Sequence, residues 1–101
     1  HIKWLSKALD ARQRYLDAVD RTTDPISWGA AQQEIGRALT ALGEREGARD
    51  KLEEGASRLR LAMDALRSTD SLQQAEVALR ALQRAEQTLQ QRRRVGLRWP
   101  G

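Results

Sequence analysis

Cysteine is absent from this chain of 101 residues, and the only histidine is His1. The first absence excludes disulfides, thiolate nucleophiles and zinc–thiolate sites. Nucleophilic catalysis also needs a base beside the nucleophile, and His1 is the first residue of the sequence. Adjacent carboxylates such as Glu53 and Glu54 point about 100° apart on a helix, so they do not converge. We therefore expect no enzyme activity, no metal and no cofactor.

Aromatic residues are also scarce: they form 4% of the chain, and phenylalanine is missing. A β-rich fold needs more Val, Ile, Thr and aromatic residues than this, whereas the abundant Ala, Leu, Arg, Gln and Glu favour helices. No apolar run reaches the roughly 18 residues of a transmembrane helix. The composition predicts an all-α protein with one domain, no membrane span and a cytoplasmic location.

The formal net charge is +4, and all of the excess lies towards the C-terminal end. Residues 1–83 carry 13 basic and 13 acidic side chains, whereas residues 84–101 carry five arginines and one glutamate. The body of the protein therefore lacks the basic surface that is typical of nucleic-acid binding. We expect a single helical domain over residues 1–94 and a flexible basic tail over residues 95–101.

Arg92, Arg93 and Arg94 form the densest basic cluster, and three interpretations of it are open. Cations at the C-terminal end of a helix interact favourably with the helix dipole. The same side chains could bind an acidic surface of a protein partner, or the phosphates of nucleic acid or lipid. Nucleic acid is the less favoured partner, because phosphate binding strengthens with the number of phosphates neutralised and this cluster is small.

Apolar residues recur at spacings of three and four along most of the chain, which is typical of amphipathic helices. Breaks fall where helix-terminating residues occur, around Pro25, Gly43 and residues 68–71. The pattern predicts four helices, over about residues 2–20, 25–42, 49–66 and 71–93. We expect these helices to form antiparallel pairs, and the alternative arrangement is an up-down four-helix bundle.

Individual residues indicate how these helices begin, end and pack. Asp24 followed by Pro25 is typical of a helix start, with Asp24 as the N-cap. Gly43 is expected to end the second helix as its C-terminal cap, which leaves residues 44–48 as a loop. Gly55 lies inside the third helix, where glycine costs roughly 1 kcal/mol relative to alanine. We therefore expect a neighbouring helix to approach closely at Gly55.

One segment of the second helix is similar to a segment forty residues later. The sequence GRALTALGE at residues 36–44 is similar to EVALRALQR at residues 76–84. Repeats with such a period are typical of stacked helix pairs. Chance similarity between two helices rich in alanine and leucine is the alternative explanation.

Four short segments between residues 24 and 66 form a further pattern. They are Trp28-Gly29-Ala30-Ala31-Gln32, Ile35-Gly36-Arg37-Ala38-Leu39, Leu42-Gly43-Glu44-Arg45 and Leu52-Glu53-Glu54-Gly55. Together they resemble a tetratricopeptide repeat, in a longer-period bacterial variant. The chain departs from the usual repeat by about seven extra residues after Gly43 and by Leu59 in place of an aromatic residue. In the similar segment at residues 76–84, which we call the echo, Glu76 replaces the small residue of the repeat.

The resemblance implies a helix pair that packs closely through the small residues Gly36, Gly55 and Ala62. It also implies that the first helix of each pair lines a concave face, which receives an extended or helical segment of another protein. Carried onto this sequence, the partner-binding residues would be Gln33, Arg37 and Thr40, extended by Gln73 and Arg80 if the echo is a true repeat.

These observations predict a non-catalytic protein–protein interaction module or scaffold. We also expect self-association, because fewer than two repeats leave an apolar face uncovered. A small helical chaperone or regulatory subunit is the first alternative, and it predicts Trp4, Tyr15 and Trp28 together in one central core. The second alternative is a nucleic-acid accessory protein that binds through the arginines near the C-terminal end.

Overall fold

The computed structural model describes the backbone of residues 2–69 and 72–94, and the side chains of residues 6–69 and 73–91. This part of the chain forms four helices: α1 (Ile2–Ala18), α2 (Pro25–Glu46), α3 (Arg49–Arg67) and α4 (Leu72–Arg94). It contains no strand, so the all-α prediction is confirmed. Within these ranges, no helix combines the length and apolar character that crossing a bilayer requires. The tail expected over residues 95–101 lies outside the described residues.

A row of glycines on α2 receives a row of buried leucines from α3. Both rows have a spacing of seven residues, and the pairs are Gly29–Leu66, Gly36–Leu59 and Gly43–Leu52. A Cβ atom added to these glycines would lie 2.8, 2.8 and 2.7 Å, respectively, from the Cγ atom of the facing leucine. All three leucines are fully buried, so the leucine side chains occupy the space that the glycines leave empty.

The order of these contacts shows the direction of the two helices. The leucine numbers fall as the glycine numbers rise, so α2 and α3 run in opposite directions. A spacing of seven residues is close to two helical turns, which keeps both rows on facing sides along the whole contact. Each fully buried leucine contributes about 1.5–3 kcal/mol relative to an exposed one. This pair of helices is therefore the most strongly packed part of the fold.

At Gly55 the glycine is on α3 and the side chain that fills the space comes from α2. A Cβ atom on Gly55 would lie 2.9 Å from the Gly36 carbonyl oxygen and 2.6 Å from the Thr40 hydroxyl oxygen. The Thr40 hydroxyl donates a hydrogen bond of 2.8 Å to that Gly36 carbonyl, so this buried hydroxyl has a partner. The close approach predicted at Gly55 is confirmed.

The remaining two helices pack on different sides of this pair. α4 packs against α3 and touches α2, whereas α1 packs against α2 alone within the described ranges. One apolar cluster joins Leu59 of α3 to Leu82 of α4, and a separate cluster joins Leu16 of α1 to Ile35 of α2. The helices therefore form an open stack, unlike an up-down bundle, in which the first and last helices are neighbours.

Tyr15 and Trp28 do not lie together in the single central core that the chaperone or regulatory-subunit alternative predicts. That prediction is wrong for Tyr15, which is 55% exposed, because within the described ranges α1 packs against α2 alone. Trp28 is partly buried against the α1–α2 cluster, and the Arg21 guanidinium lies 4.5 Å from its ring centroid. The side chain of Trp4 lies outside the described part of the chain.

The C-terminal end of α2 differs from the prediction. The helix continues through Gly43 to Glu46, and its cap is Gly47, with a φ of 62° in the left-handed region that favours glycine. The backbone amides of Gly47 and Ala48 both donate to the Gly43 carbonyl. The chain turns only after Gly43 because Gly43 itself lies in the contact with α3. The predicted loop is thus reduced to two residues.

The start of α2 agrees with the prediction. Asp24 is the N-cap, and Pro25 occupies the first helical position. One side-chain oxygen of Asp24 accepts a hydrogen bond of 3.2 Å from the backbone amide of Ser27. This bond satisfies one of the amides that a helix start leaves without an intrahelical partner.

Replacement of this cap has a predictable effect on stability. We expect Asp24→Ala to lower the free energy of unfolding by about 1 kcal/mol, because an amide of the first turn loses its acceptor. Asp24→Asn is the matched control, since its amide oxygen can still accept the bond. Urea unfolding followed by circular dichroism measures both variants. Equal losses in the two variants would contradict a capping role.

Candidate functional site

An open groove lies between α2 and α4, which run in the same direction. Its closed end is formed near Glu44, whose Oε2 atom accepts a hydrogen bond of 3.1 Å from the Thr88 hydroxyl. The Arg84 Nε atom lies 3.6 Å from the same oxygen. Towards the N-terminal ends of both helices, residues 30–37 and 73–80 border a groove of about 540 Å³. The two helices are therefore held together near Glu44, and the groove opens towards their N-terminal ends.

The groove is lined mainly by polar side chains, with two apolar residues among them. Its lining residues are Ala30, Gln33, Glu34, Arg37, Gln73, Gln74, Glu76, Val77 and Arg80. We call this set the α2–α4 groove. Val77 is the large apolar residue, and its side chain is 43% exposed. The three glutamines place amide donors and acceptors on both walls.

The charges of the groove are only partly paired. Arg80 lies 3.9 Å from Glu76 on the same helix, and Glu34 lies 2.7 Å from Arg12 of α1. Within the described ranges, Arg37 has no carboxylate partner within 4.0 Å. Exposed ion pairs of this kind contribute about 0–1 kcal/mol each, so they orient side chains more than they stabilise the fold. Arg37 remains free to bind an anionic group.

The structure brings four of the eight predicted partner-binding residues together. Gln33 and Arg37 of α2 and Gln73 and Arg80 of α4 all line the α2–α4 groove. The prediction for Thr40 is wrong, because Thr40 is 7% exposed and lies in the α2–α3 contact. Its side chain therefore packs inside the helix pair and cannot reach a partner.

The three predicted arginines cannot be placed with the groove. Arg92, Arg93 and Arg94 belong to the last turn of α4, and their side chains lie outside the described part of the chain. They are separated in sequence from the residues of α4 that line the groove, which lie in its first three turns.

Sequence reasoning missed five of the lining residues, although the echo contained a signal for Val77: they are Ala30, Glu34, Gln74, Glu76 and Val77. At an offset of forty residues, Val77 corresponds to Arg37 and Gln74 to Glu34, and all four line the groove. The offset therefore relates positions on the same side of α2 and α4. Val77 is 43% exposed, whereas the adjacent Ala78 is buried.

The groove presents amide, guanidinium and carboxylate groups from two helices. No three of the described His, Cys, Asp and Glu side chains lie close enough together to hold a metal ion. Compared with known proteins, the chain matches no family model, no curated protein and no solved structure.

Proposed function

We propose that this protein is a non-catalytic protein-binding module of the cytoplasm, which holds a peptide or helix of a partner protein in the α2–α4 groove. The observation that carries the proposal is the convergence of Gln33, Arg37, Gln73 and Arg80 on one open surface. Two separate helices contribute to it, so the surface depends on the fold and is not the exposed side of one helix.

The side chains of the groove suit a polypeptide ligand. Glutamine amides both donate and accept hydrogen bonds, so Gln33 and Gln73 can pair with a peptide backbone from opposite walls. Between the two walls, Val77 and Ala30 offer the ligand a small apolar contact. Small-molecule sites usually enclose most of the ligand surface, whereas this groove is open along its length, which favours a chain segment.

The arrangement of helices supports the same proposal. α4 follows the α2–α3 pair and runs in the direction of α2, as the first helix of a second pair would in a helical repeat protein. The echo relates residues of α2 to residues of α4, and the resemblance to a tetratricopeptide repeat covers α2 and α3. In stacked repeats of this kind, extended concave surfaces serve as binding sites.

Arg37 provides the test of this proposal. Because Arg37 is the unpaired cation of the groove, we expect selected ligands to carry Asp or Glu, and Arg37→Glu to weaken binding about tenfold, or about 1.4 kcal/mol. The ligands are selected from a random twelve-residue peptide library displayed on phage. Fluorescence anisotropy then measures the affinity of each selected peptide for the wild type and the variant.

Arg45→Glu is the matched control, because Arg45 is an exposed arginine of α2 that does not line the groove. We expect it to retain wild-type affinity for the selected peptides. A library that yields no peptide above background would contradict the proposal. Peptides that bind Arg37→Glu and Arg45→Glu equally well would show that the α2–α4 groove is not the site.

A further inference from the structure

α1 carries two apolar rows, and only one of them is covered. The first row contains Leu9 and Leu16 and packs against α2. The second row lies one residue before it along the helix, and its members are Ala8, Ala11, Tyr15 and Ala18, spaced three and four residues apart. We call these four residues the outer row. Ala11, Tyr15 and Ala18 are exposed, and Tyr15 exposes more than half of its surface.

The outer row borders a hollow between α1 and α2. Ala11 and Tyr15 line it from α1, and Ser27, Ala30 and Ala31 line it from α2, around a volume of about 420 Å³. Small residues form its floor, and an aromatic ring stands beside them. The Arg12–Glu34 ion pair of 2.7 Å lies at the same hollow. A surface of this shape fits side chains that project from another helix.

The opposite end of the stack has a different character. α4 carries a row of exposed polar residues with the same alternating spacing of three and four: Gln73, Glu76, Arg80, Gln83, Gln87 and Gln90. In stacked helical proteins a polar outer face closes the end of the stack. This row of α4 is polar throughout, and three of its members, Gln73, Glu76 and Arg80, also line the α2–α4 groove. The outer row of α1 is apolar instead.

We propose that a second copy of this chain covers the outer row, with the two α1 helices packed antiparallel about a two-fold axis. A two-fold contact buries the same patch on both copies and closes the assembly as a dimer. It covers both apolar ends at once and leaves both polar α4 rows in water. A head-to-tail stack would instead set the outer row of each copy against polar residues.

The pattern of the outer row is self-complementary in this orientation. When two such rows run antiparallel, Tyr15 of one copy meets Ala11 of the second copy, and Ala8 meets Ala18. Large side chains then oppose small ones, which is the condition for close helix packing. The ring of Tyr15 then packs on small residues of the second copy.

The available area is sufficient for a dimer. α1 has 17 residues, which is about 25 Å at 1.5 Å per residue. With α2 beside it, the face is about 20 Å wide, since packed helix axes lie roughly 8–10 Å apart. A contact over this face covers about 500 Å² on each copy and about 1,000 Å² in total, which is the minimum expected of a biological interface.

Sedimentation equilibrium of the full chain tests this inference without any peptide, so its outcome is independent of the proposed function. We expect a mass twice that of the 11.4 kDa chain. Tyr15→Glu should raise the dimer dissociation constant about 30-fold or more, the change typical of an interface hot spot. Ala18→Glu, at an exposed position of the same row, should act in the same direction. Circular dichroism verifies that both variants keep the wild-type helix content.

Leu61→Glu is the matched control, since Leu61 is an exposed apolar residue on α3, outside the outer row, and we expect this variant to remain a dimer. As the chain has no cysteine, Ala11→Cys should be cross-linked between copies by a bismaleimide, and Leu61→Cys should not. A chain that stays monomeric at millimolar concentration would overturn the inference and leave this surface to a helix of another protein. A dimer that survives both Tyr15→Glu and Ala18→Glu would also overturn it.

Discussion

Leu59→Ala is expected to lower the free energy of unfolding by about 3–5 kcal/mol, near the upper end for a buried leucine. Leu59 is fully buried and belongs to two contacts at once. On one side it fills the space above Gly36 of α2, and on the other it packs against Leu82 and Ala85 of α4. Truncation leaves a cavity between both contacts, and on the α2 side Gly36 has no side chain that could fill it.

Leu61→Ala provides the control for this prediction on the same helix. Leu61 lies two residues away and is 37% exposed, so its truncation creates no cavity and is expected to change stability by about 0.5 kcal/mol or less. Urea unfolding at equilibrium compares both variants with the wild type. A loss at Leu59 as small as that at Leu61 would contradict the central position of Leu59.

The Leu59→Ala substitution also bears on the proposed function. Leu59 is in contact with the helices on both sides of the α2–α4 groove, so α3 acts as the support that sets the distance between its walls. We therefore expect a peptide selected on the wild type to bind Leu59→Ala more weakly, even at temperatures where the variant remains folded. The shape of the groove therefore depends on the packing of α3 against both of its walls.

The second large effect is expected at Gly55. Alanine normally stabilises a helix by roughly 1 kcal/mol relative to glycine, but here we expect Gly55→Ala to destabilise the fold by about 2–3 kcal/mol, in the range for overpacked sites. The new methyl group would lie 2.9 Å from the Gly36 carbonyl oxygen and 3.0 Å from the Thr40 amide nitrogen. Both are backbone atoms, so α2 and α3 would have to move apart.

Gly29→Ala is the graded comparison for Gly55→Ala. At Gly29 the atoms within 3.0 Å of the new methyl group belong to the Leu66 side chain, and the nearest backbone atom is 3.4 Å away. A side chain can rotate where a backbone cannot, so the loss should be smaller than at Gly55. Thermal and urea unfolding give the order of the two variants. A Gly55→Ala protein as stable as the wild type would show that the helices are not in close contact there.

Much of the local structure could be predicted because it depends on neighbouring residues. The spacing of apolar residues identified all four helices, and Asp24 with Pro25 identified the start of α2. The glycine at position 55 indicated a close contact, since no local reason favours glycine inside a helix. The offset of forty residues related α2 to α4 and predicted that Gln33 and Gln73 lie on one surface, as they do in the groove.

The tertiary structure decided which of several equivalent surfaces each helix uses. Periodicity gives the angle between residues on one helix, but it does not say which neighbour covers them. Thr40 reads as a polar surface residue, yet Gly55 on another helix provides the space that buries it. Gly43 was the cap predicted from the sequence, but contact with Leu52 keeps it inside α2, and Gly47 caps the helix instead. On α1, two apolar rows were available, and only packing against α2 determined that Leu16 is covered while Tyr15 is left exposed.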